Sequence, residues 1–312
     1  MKAQLATLAA VVLAAAPLFA QQGEAPFHVQ ESGKSFWRLD DAVKSIGGAD
    51  GTILIAPGTY RDCAIQEGGR VAFQAVQPGT VILDGMTCEG KAALVLRGRE
   101  SAVDGLIFRN MRVPDGNGAG IRLEKGSLTV LNSQFRDSEE GILTAEDRTG
   151  TVRIDRSTFS GLGRCDRGLS CAHSVYIGKY GTLVVTRSRF ERGMGGHYVK
   201  SWAMRNDISD SSFDDTRGHT TNYMIDLSGG SVGTITRNTF VQGPDKENHS
   251  AFITVAPEAR ENRSVGLVIQ GNRASLAPSV GWSTIFVADW SHEPLRISGN
   301  DLGKGIAPFE TR

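Results

Sequence analysis

The feature that most constrains this chain is a short phrase that keeps coming back. An alternating apolar segment, a polar turn and an aromatic recur as L-T-V-L-N-S-Q-F ending at Phe135, V-R-I-D-R-S-T-F at Phe159 and L-V-V-T-R-S-R-F at Phe190. The phrase returns as I-S-D-S-S-F at Phe213 and G-T-I-T-R-N-T-F at Phe240, with weaker versions ending at Ala274 and Leu302. The steps from Phe135 to Phe240 are 24, 31, 23 and 27 residues. One such unit cannot bury its apolar side alone, whereas stacked copies bury it against one another, so the spacing predicts a solenoid of short strands. The L-x-x-L-x-L spacing and asparagine ladder of leucine-rich repeats do not fit, and the strands are too short for a sandwich. Thirty-eight glycines suit the many turns, and an apolar content of 40% is too high for a disordered chain.

The ends of the chain read differently. Residues 1–20, MKAQLATLAAVVLAAAPLFA, have a lone Lys2, an apolar run and a small-residue exit, the pattern of a secretory signal peptide cleaved after Ala20. Residues 21–34 have no clear period and read as a loose leader. Ser35 opens a segment in which Phe36, Leu39, Ala42, Val43 and Ile46 recur at helical spacing. Ser35 is the expected N-cap and Gly47 the expected stop of a short helix that lids the first layer of strands. Residues 35–312 then form a single domain. No later stretch is apolar enough to span a membrane, so the mature protein is expected to be periplasmic or secreted. Lys plus Arg and Asp plus Glu are 34 each. With Lys2 removed the balance is 33 against 34, a net of −1, which gives no global field for nucleic acid. Four cysteines in an exported chain permit two disulfides in three pairings. Cys63–Cys88 and Cys165–Cys171 are favoured because each pair sits within one repeat length, with free buried thiols the alternative.

The segment G-T-I-L-I-A-P-G-T-Y from Gly51 resembles the entry coil of right-handed parallel β-helix proteins of the pectin-lyase-like type. The repeats from Phe135 to Ile142 and onward look similar to their inner coils. The likeness runs from Ser35 to Leu302 and implies an all-β fold, a right-handed parallel β-helix (solenoid) with a short N-terminal capping helix. That fold hosts lyases, hydrolases, epimerases and non-catalytic proteins, so function must be argued from a site. The segments H-x-x-Y-x-G, G-H-x-x-K-S and Y-x-I-D-L further resemble a subgroup of exported bacterial β-helix proteins. That likeness implies Arg after Lys-Ser and Pro-Asn after Asp-Leu, where this chain has Trp202 and Ser228.

Chemistry concentrates between His173 and Leu227. Tyr176, Lys200 and Asp226 each sit between apolar or small neighbours in a short strand, so they share the outward face. Distance to the following aromatic sets the register, giving one column: Arg122, Thr144, Tyr176, Lys200, Asp226, Thr254. Three positions earlier a second column reads Gly141, His173, His197, Tyr223. These groups suit β-elimination or epimerisation at C5 of a uronic acid: a base takes the C5 proton, a cation steadies the carboxylate, an acid protonates the leaving oxygen. Lys200 takes the electrostatic role because a neighbouring Asp226 favours its charged form. His197 or Tyr176 is the base and the other the acid. His173, Tyr223, Asp226, Arg122 and Trp202 are assigned to substrate binding.

The bland reading makes Lys200 and Asp226 a surface ion pair and the histidines turn residues. It leads to a non-catalytic carbohydrate-binding or cell-surface protein, with Tyr180, Trp202, Tyr223 and Trp290 as stacking aromatics. A third reading is a glycoside hydrolase built on Asp214 and Asp215 with His219. No cofactor is expected, although Asp226 leaves calcium open. The expected partner is a polysaccharide met by a monomer, with no nucleic acid and no membrane span.

Overall fold

The computed structural model describes residues 24–312; the expected signal segment and its cleavage point lie outside them. The chain is an all-β parallel β-solenoid with a single short helix. Three sheets of 12, 10 and 10 strands run its length, and each coil gives one strand to each sheet. Every third strand is therefore a hydrogen-bonded neighbour, which is what the sequence repeat requires.

Identical residues meet across coils. Phe108, Phe135, Phe159, Phe190, Phe213 and Phe240 form an interior stack in the second sheet, with successive ring centroids 4.9, 4.8, 4.8, 4.7 and 4.9 Å apart. All six are buried. The spacing matches the distance between neighbouring strands, so each ring covers the next without strain. Just before each Phe lies a polar ladder. The backbone N–H of Ser133 donates to Ser157 Oγ, Ser157 to Ser188, Ser188 to Ser211, and Ser211 to Asn238 Oδ1. Asn238 continues to Asn272 and Asn272 to Asn300. An asparagine ladder of the leucine-rich-repeat kind was not expected here. The last coils have one, because the corner buries backbone N–H groups that need a side-chain acceptor.

The N-terminal end departs from expectation in two ways. The helix runs Leu39–Ile46 and its first N–H, on Leu39, is capped by the Asp62 carboxylate (3.0 Å) rather than by Ser35. Ser35 lies in the strand Lys34–Phe36, which pairs antiparallel with Phe27–Val29, and that strand pairs with Asp50–Ile55. The supposed loose leader is thus partly a hairpin that covers the edge of the first sheet. Gly47 ends the helix in the left-handed region as expected (φ 61°). Leu39, Ala42 and Val43 plug the first coil. Both expected disulfides are present, Cys63–Cys88 and Cys165–Cys171. No described helix is long and apolar enough to cross a membrane.

Candidate active site on the outer face of the third sheet

The third sheet carries the strands Glu140–Thr144, Val175–Ile177, Val199–Ser201, Ile225–Leu227 and Ala251–Val255 side by side. Tyr176 pairs with Lys200, Lys200 with Asp226 and Asp226 with Thr254. Val199, Ile225 and Leu227 belong to the core, so Lys200 and Asp226 take the outward positions. Arg122 joins the same column, but its neighbour is Leu143 rather than Thr144. The slip has a local cause. The strand Asp147–Asp155 carries a bulge between Asp147 and Thr151, and those extra residues lengthen the count to Phe159. Thr144 instead turns its hydroxyl to the Gly178 N–H (2.8 Å).

The column was expected to face solvent, and it does not. Lys200 is 9% exposed and Asp226 1%. Lys200 Nζ lies 3.3 Å from Asp226 Oδ2 and also bonds Glu258, which arrives from a segment beyond the next strand. The Tyr176 ring lies within cation–π reach, its centroid 6.0 Å from the ammonium. Asp226 is satisfied on every side, accepting from Ser228 Oγ (2.8 Å) and Thr254 Oγ (2.8 Å) as well. A surface ion pair is therefore the wrong description.

The second column is a stack of rings. His173 and His197 lie 5.0 Å apart and nearly parallel, and His197 and Tyr223 lie 5.5 Å apart. His173 meets Tyr176 edge-on at 5.4 Å, which ties the two columns together. The stack depends on Gly195-Gly196. At Gly196, with φ 62°, a Cβ would stand 2.2 Å from the Ala172 carbonyl oxygen, so no other residue lets the two histidines come together. The His197 N–H donates to His173 Nδ1 (3.0 Å), so a neutral His173 ring holds its proton on Nε2. His197 Nε2 stands 3.6 Å from Asp226 Oδ2, and its Nδ1 is buried without a partner.

Electrostatics sort the roles. Burial pulls the Lys200 ammonium toward neutrality, but Asp226 and Glu258 more than offset it and hold its pKa above the usual lysine value. Burial, reinforced by the Lys200 and Lys246 charges, lowers His197 to about 3. Burial also puts His173 well below the normal histidine range, helped by His197 and Lys200. Tyr176 is raised, chiefly by burial, with Lys200 opposing. At neutral pH the site thus holds one ammonium, two uncharged imidazoles and a protonated phenol.

Glu140 was not anticipated from the sequence. It is buried, its Oε1 accepts weakly from the His173 N–H (3.4 Å), and its Oε2 has no partner. Burial drives its pKa well above the carboxylate range, with the His173 bond and Arg122 opposing. The available signal was the acidic pair Glu139-Glu140 at the start of a strand that abuts His-Ser-Val-Tyr. Arg122 Nε is buried without a hydrogen bond, 3.9 Å from Glu124 Oε1, and the buried Trp202 indole N–H likewise lacks a hydrogen bond. Trp202 lies beside the column, its ring within 6.0 Å of Lys179 Nζ.

The paired aspartates do not form a hydrolytic couple. Asp215 is fully buried and accepts from Tyr198 Oη (2.7 Å) and Thr221 Oγ (2.8 Å) beside Lys246 Nζ (3.2 Å). Asp214 faces outward, capping Thr216 and pairing with Arg189. His219 contacts Asp245 instead. The described residues bring donors of three ligand-type side chains together at Cys165, Cys171 and Glu247, where both sulfurs are spent in the disulfide.

No protein-family model matches the chain, and no curated protein does. Solved structures do resemble it, two of them as follows. One is a PL6-family alginate lyase, AlyGC, at 15% identity over 84% of this chain and 38% of that one, with a TM-score of 0.53. The other is ORF18 of Geobacillus virus E2, at 14% identity over 87% of this chain and 55% of that one, with a TM-score of 0.51. At such identities the likeness is one of fold, and the chain spans about two fifths and about half of those two proteins.

Proposed function

We propose that this is an exported, carbohydrate-active β-helix protein that cleaves a uronate-containing polysaccharide by β-elimination. The observation that carries the reading is the cluster around Lys200 on the outer face, its ammonium 3.3 Å from Asp226 Oδ2 and 6.0 Å from the Tyr176 ring, with His197 Nε2 3.6 Å from the same carboxylate oxygen. In the reaction so framed, the neutral His197 imidazole, beside Asp226, takes the C5 proton. Lys200 stabilises the charge that builds on the substrate carboxylate. Tyr176, held protonated, gives its proton to the departing O4 as the C4–O4 bond breaks and a C4=C5 double bond forms. Tyr176 regains a proton and His197 loses one to solvent, closing the cycle. His173, Tyr223, Arg122 and Trp202 line the approach.

A calcium ion fits poorly beside Asp226, whose oxygens already accept from an ammonium and two hydroxyls, and no step is routed through one. Two disulfides support an oxidising compartment. The PL6-family neighbour is an alginate lyase, which makes alginate the first polymer to try. The test is a panel of uronate polymers followed by the ultraviolet absorbance of the unsaturated product. Rising absorbance is expected. Reducing ends without absorbance would indicate hydrolysis, deuterium exchange at C5 without cleavage would indicate epimerisation, and binding without turnover would indicate a recognition module; each would overturn elimination.

A further inference from the structure

The segment from Ala256 to Asn262 covers the candidate site, and its charges are arranged in an informative way. Ala256 turns the chain out of its coil in the left-handed region (φ 57°). The backbone that follows is anchored to the adjacent coil: Ala256 N–H to Leu227 O (2.8 Å), Glu258 N–H to Ser228 O (3.1 Å) and Asn262 N–H to Gly229 O (2.8 Å). From that anchorage two side chains reach back over earlier coils. Glu258 lays its carboxylate on Lys200. Glu261 lays its own between Lys179 Nζ (3.0 Å) and Arg148 Nη2 (3.6 Å). Three cations from three successive coils are thus each met by an acid of the same short segment. The two acids remain reachable, Glu258 being 46% and Glu261 34% exposed at the side chain, while Lys200 beneath is 11%.

We propose that this segment is a strap whose two carboxylates occupy subsites for the carboxylates of an acidic oligosaccharide, one on Lys200 and one on Lys179 with Arg148. The inference rests on the uronate reading of the site. Its physical basis is exchange. Asp226 is the buried partner of Lys200, and Glu258 is a second, partly exposed one that holds its place until another carboxylate replaces it. Bonds made by partly exposed glutamates are weak enough to give way. An oligomer carrying several carboxylates displaces both acids together, since engagement of the first holds the second close to its subsite. Uncharged sugars have nothing with which to displace them, so the strap also selects for acidic chains. Trp202, whose main-chain carbonyl accepts from Asn262 Nδ2 (3.2 Å), places an aromatic ring beside Lys179 under the same segment.

The test compares wild type with Glu258→Gln/Glu261→Gln, titrated calorimetrically with short alginate oligomers and, separately, short oligomers of de-esterified pectin, with dextran oligomers as the uncharged control. The double variant is expected to bind the acidic oligomer on the order of five- to tenfold more tightly, with the gain shrinking as salt is raised. Dextran binding is expected to stay unchanged. If wild type binds an acidic oligomer and the double variant binds it no tighter, the strap inference falls while the uronate reading survives. If neither protein binds any acidic oligomer at low salt, both fall. Should the double variant fail to fold, Glu261→Gln alone, which leaves Lys200 paired, is expected to give a roughly two- to threefold gain. No gain there would overturn the proposal equally.

Discussion

Two ring stacks run along this solenoid, one inside the second sheet and one on the outside of the third. Both are produced by the same register, with rings 4.7–4.9 Å apart inside and 5.0 and 5.5 Å apart outside. Inside, the same residue repeats from Phe108 to Phe240 and every ring has the same task, which is to fill the coil. Outside, the members differ, His173, His197 and Tyr223, and the adjoining column differs too, Tyr176, Lys200 and Asp226. A parallel solenoid brings residues of one position together whatever their type. Uniformity along a column therefore marks packing, and variety marks chemistry.

Substitutions that strike one stack and spare the other probe this contrast. The largest effect belongs to the interior. Phe190→Ala, in the middle of the Phe stack, is expected to cost about 3–5 kcal/mol by leaving a cavity between two rings, read as a shift in the urea midpoint. A loss near 1 kcal/mol would mean that the coils collapse onto the gap and that the stack is dispensable. Next is the covalent brace beside the first coils. Removing Cys63–Cys88 by double Ala substitution is expected to cost about 3 kcal/mol in the chain-entropy picture, against about 2 for the six-residue Cys165–Cys171 loop. The reverse order in thermal denaturation would contradict it.

The outer column is expected to cost less. Lys200→Met strands the buried Asp226 carboxylate, but Ser228 and Thr254 still donate to it. The loss is expected to be about 2 kcal/mol, below the range for a fully buried pair, with much of it recovered in Lys200→Met/Asp226→Asn. Absence of recovery would separate the two side chains energetically.

The smallest effects are pH-dependent, and their signs oppose. His197 is depressed to about 3, so the folded state resists protonation and loses stability as pH falls from about 6.5 toward 3. His197→Gln should soften that acid loss. Glu140 is raised, so its contribution is present below the ordinary carboxylate pKa and is lost as pH rises above it. Glu140→Gln should raise the melting temperature by a few degrees at pH 8, roughly what 1–2 kcal/mol brings in a domain of this size, and by nothing near pH 4. Melting curves at both pH values with unchanged differences would show that neither group titrates as its burial implies.

Much of this was readable before the fold. A repeat with a fixed offset to an aromatic gives the solenoid, the Phe stack and the Tyr176–Lys200–Asp226 register, because those are local periodicities. What escaped is non-periodic. Glu258 reaches Lys200 across 58 residues from a segment that follows no repeat, and with it comes the burial that turns an expected surface pair into a desolvated one. The bulge after Asp147 displaced Thr144 by one place for the same reason: an insertion carries no periodic signal. Glu140 was hidden because the phrase Glu-Glu-Gly reads as a solvated turn, and its burial follows from the coil above it. Ser35 lost the helix cap to Asp62, one coil later, a contact that only the stacking supplies.

The most direct test of the site is to measure kcat/KM of wild type, Lys200→Met and Phe190→Leu on the uronate polymer that gives the unsaturated product, at a temperature where all three are folded. Phe190→Leu should stay within a few-fold of wild type, whereas Lys200→Met should lose on the order of 10²–10³-fold, the usual consequence of removing one preorganised charge from a transition state. Turnover by Lys200→Met within a few-fold of wild type would show that the outer column is packing like the inner one.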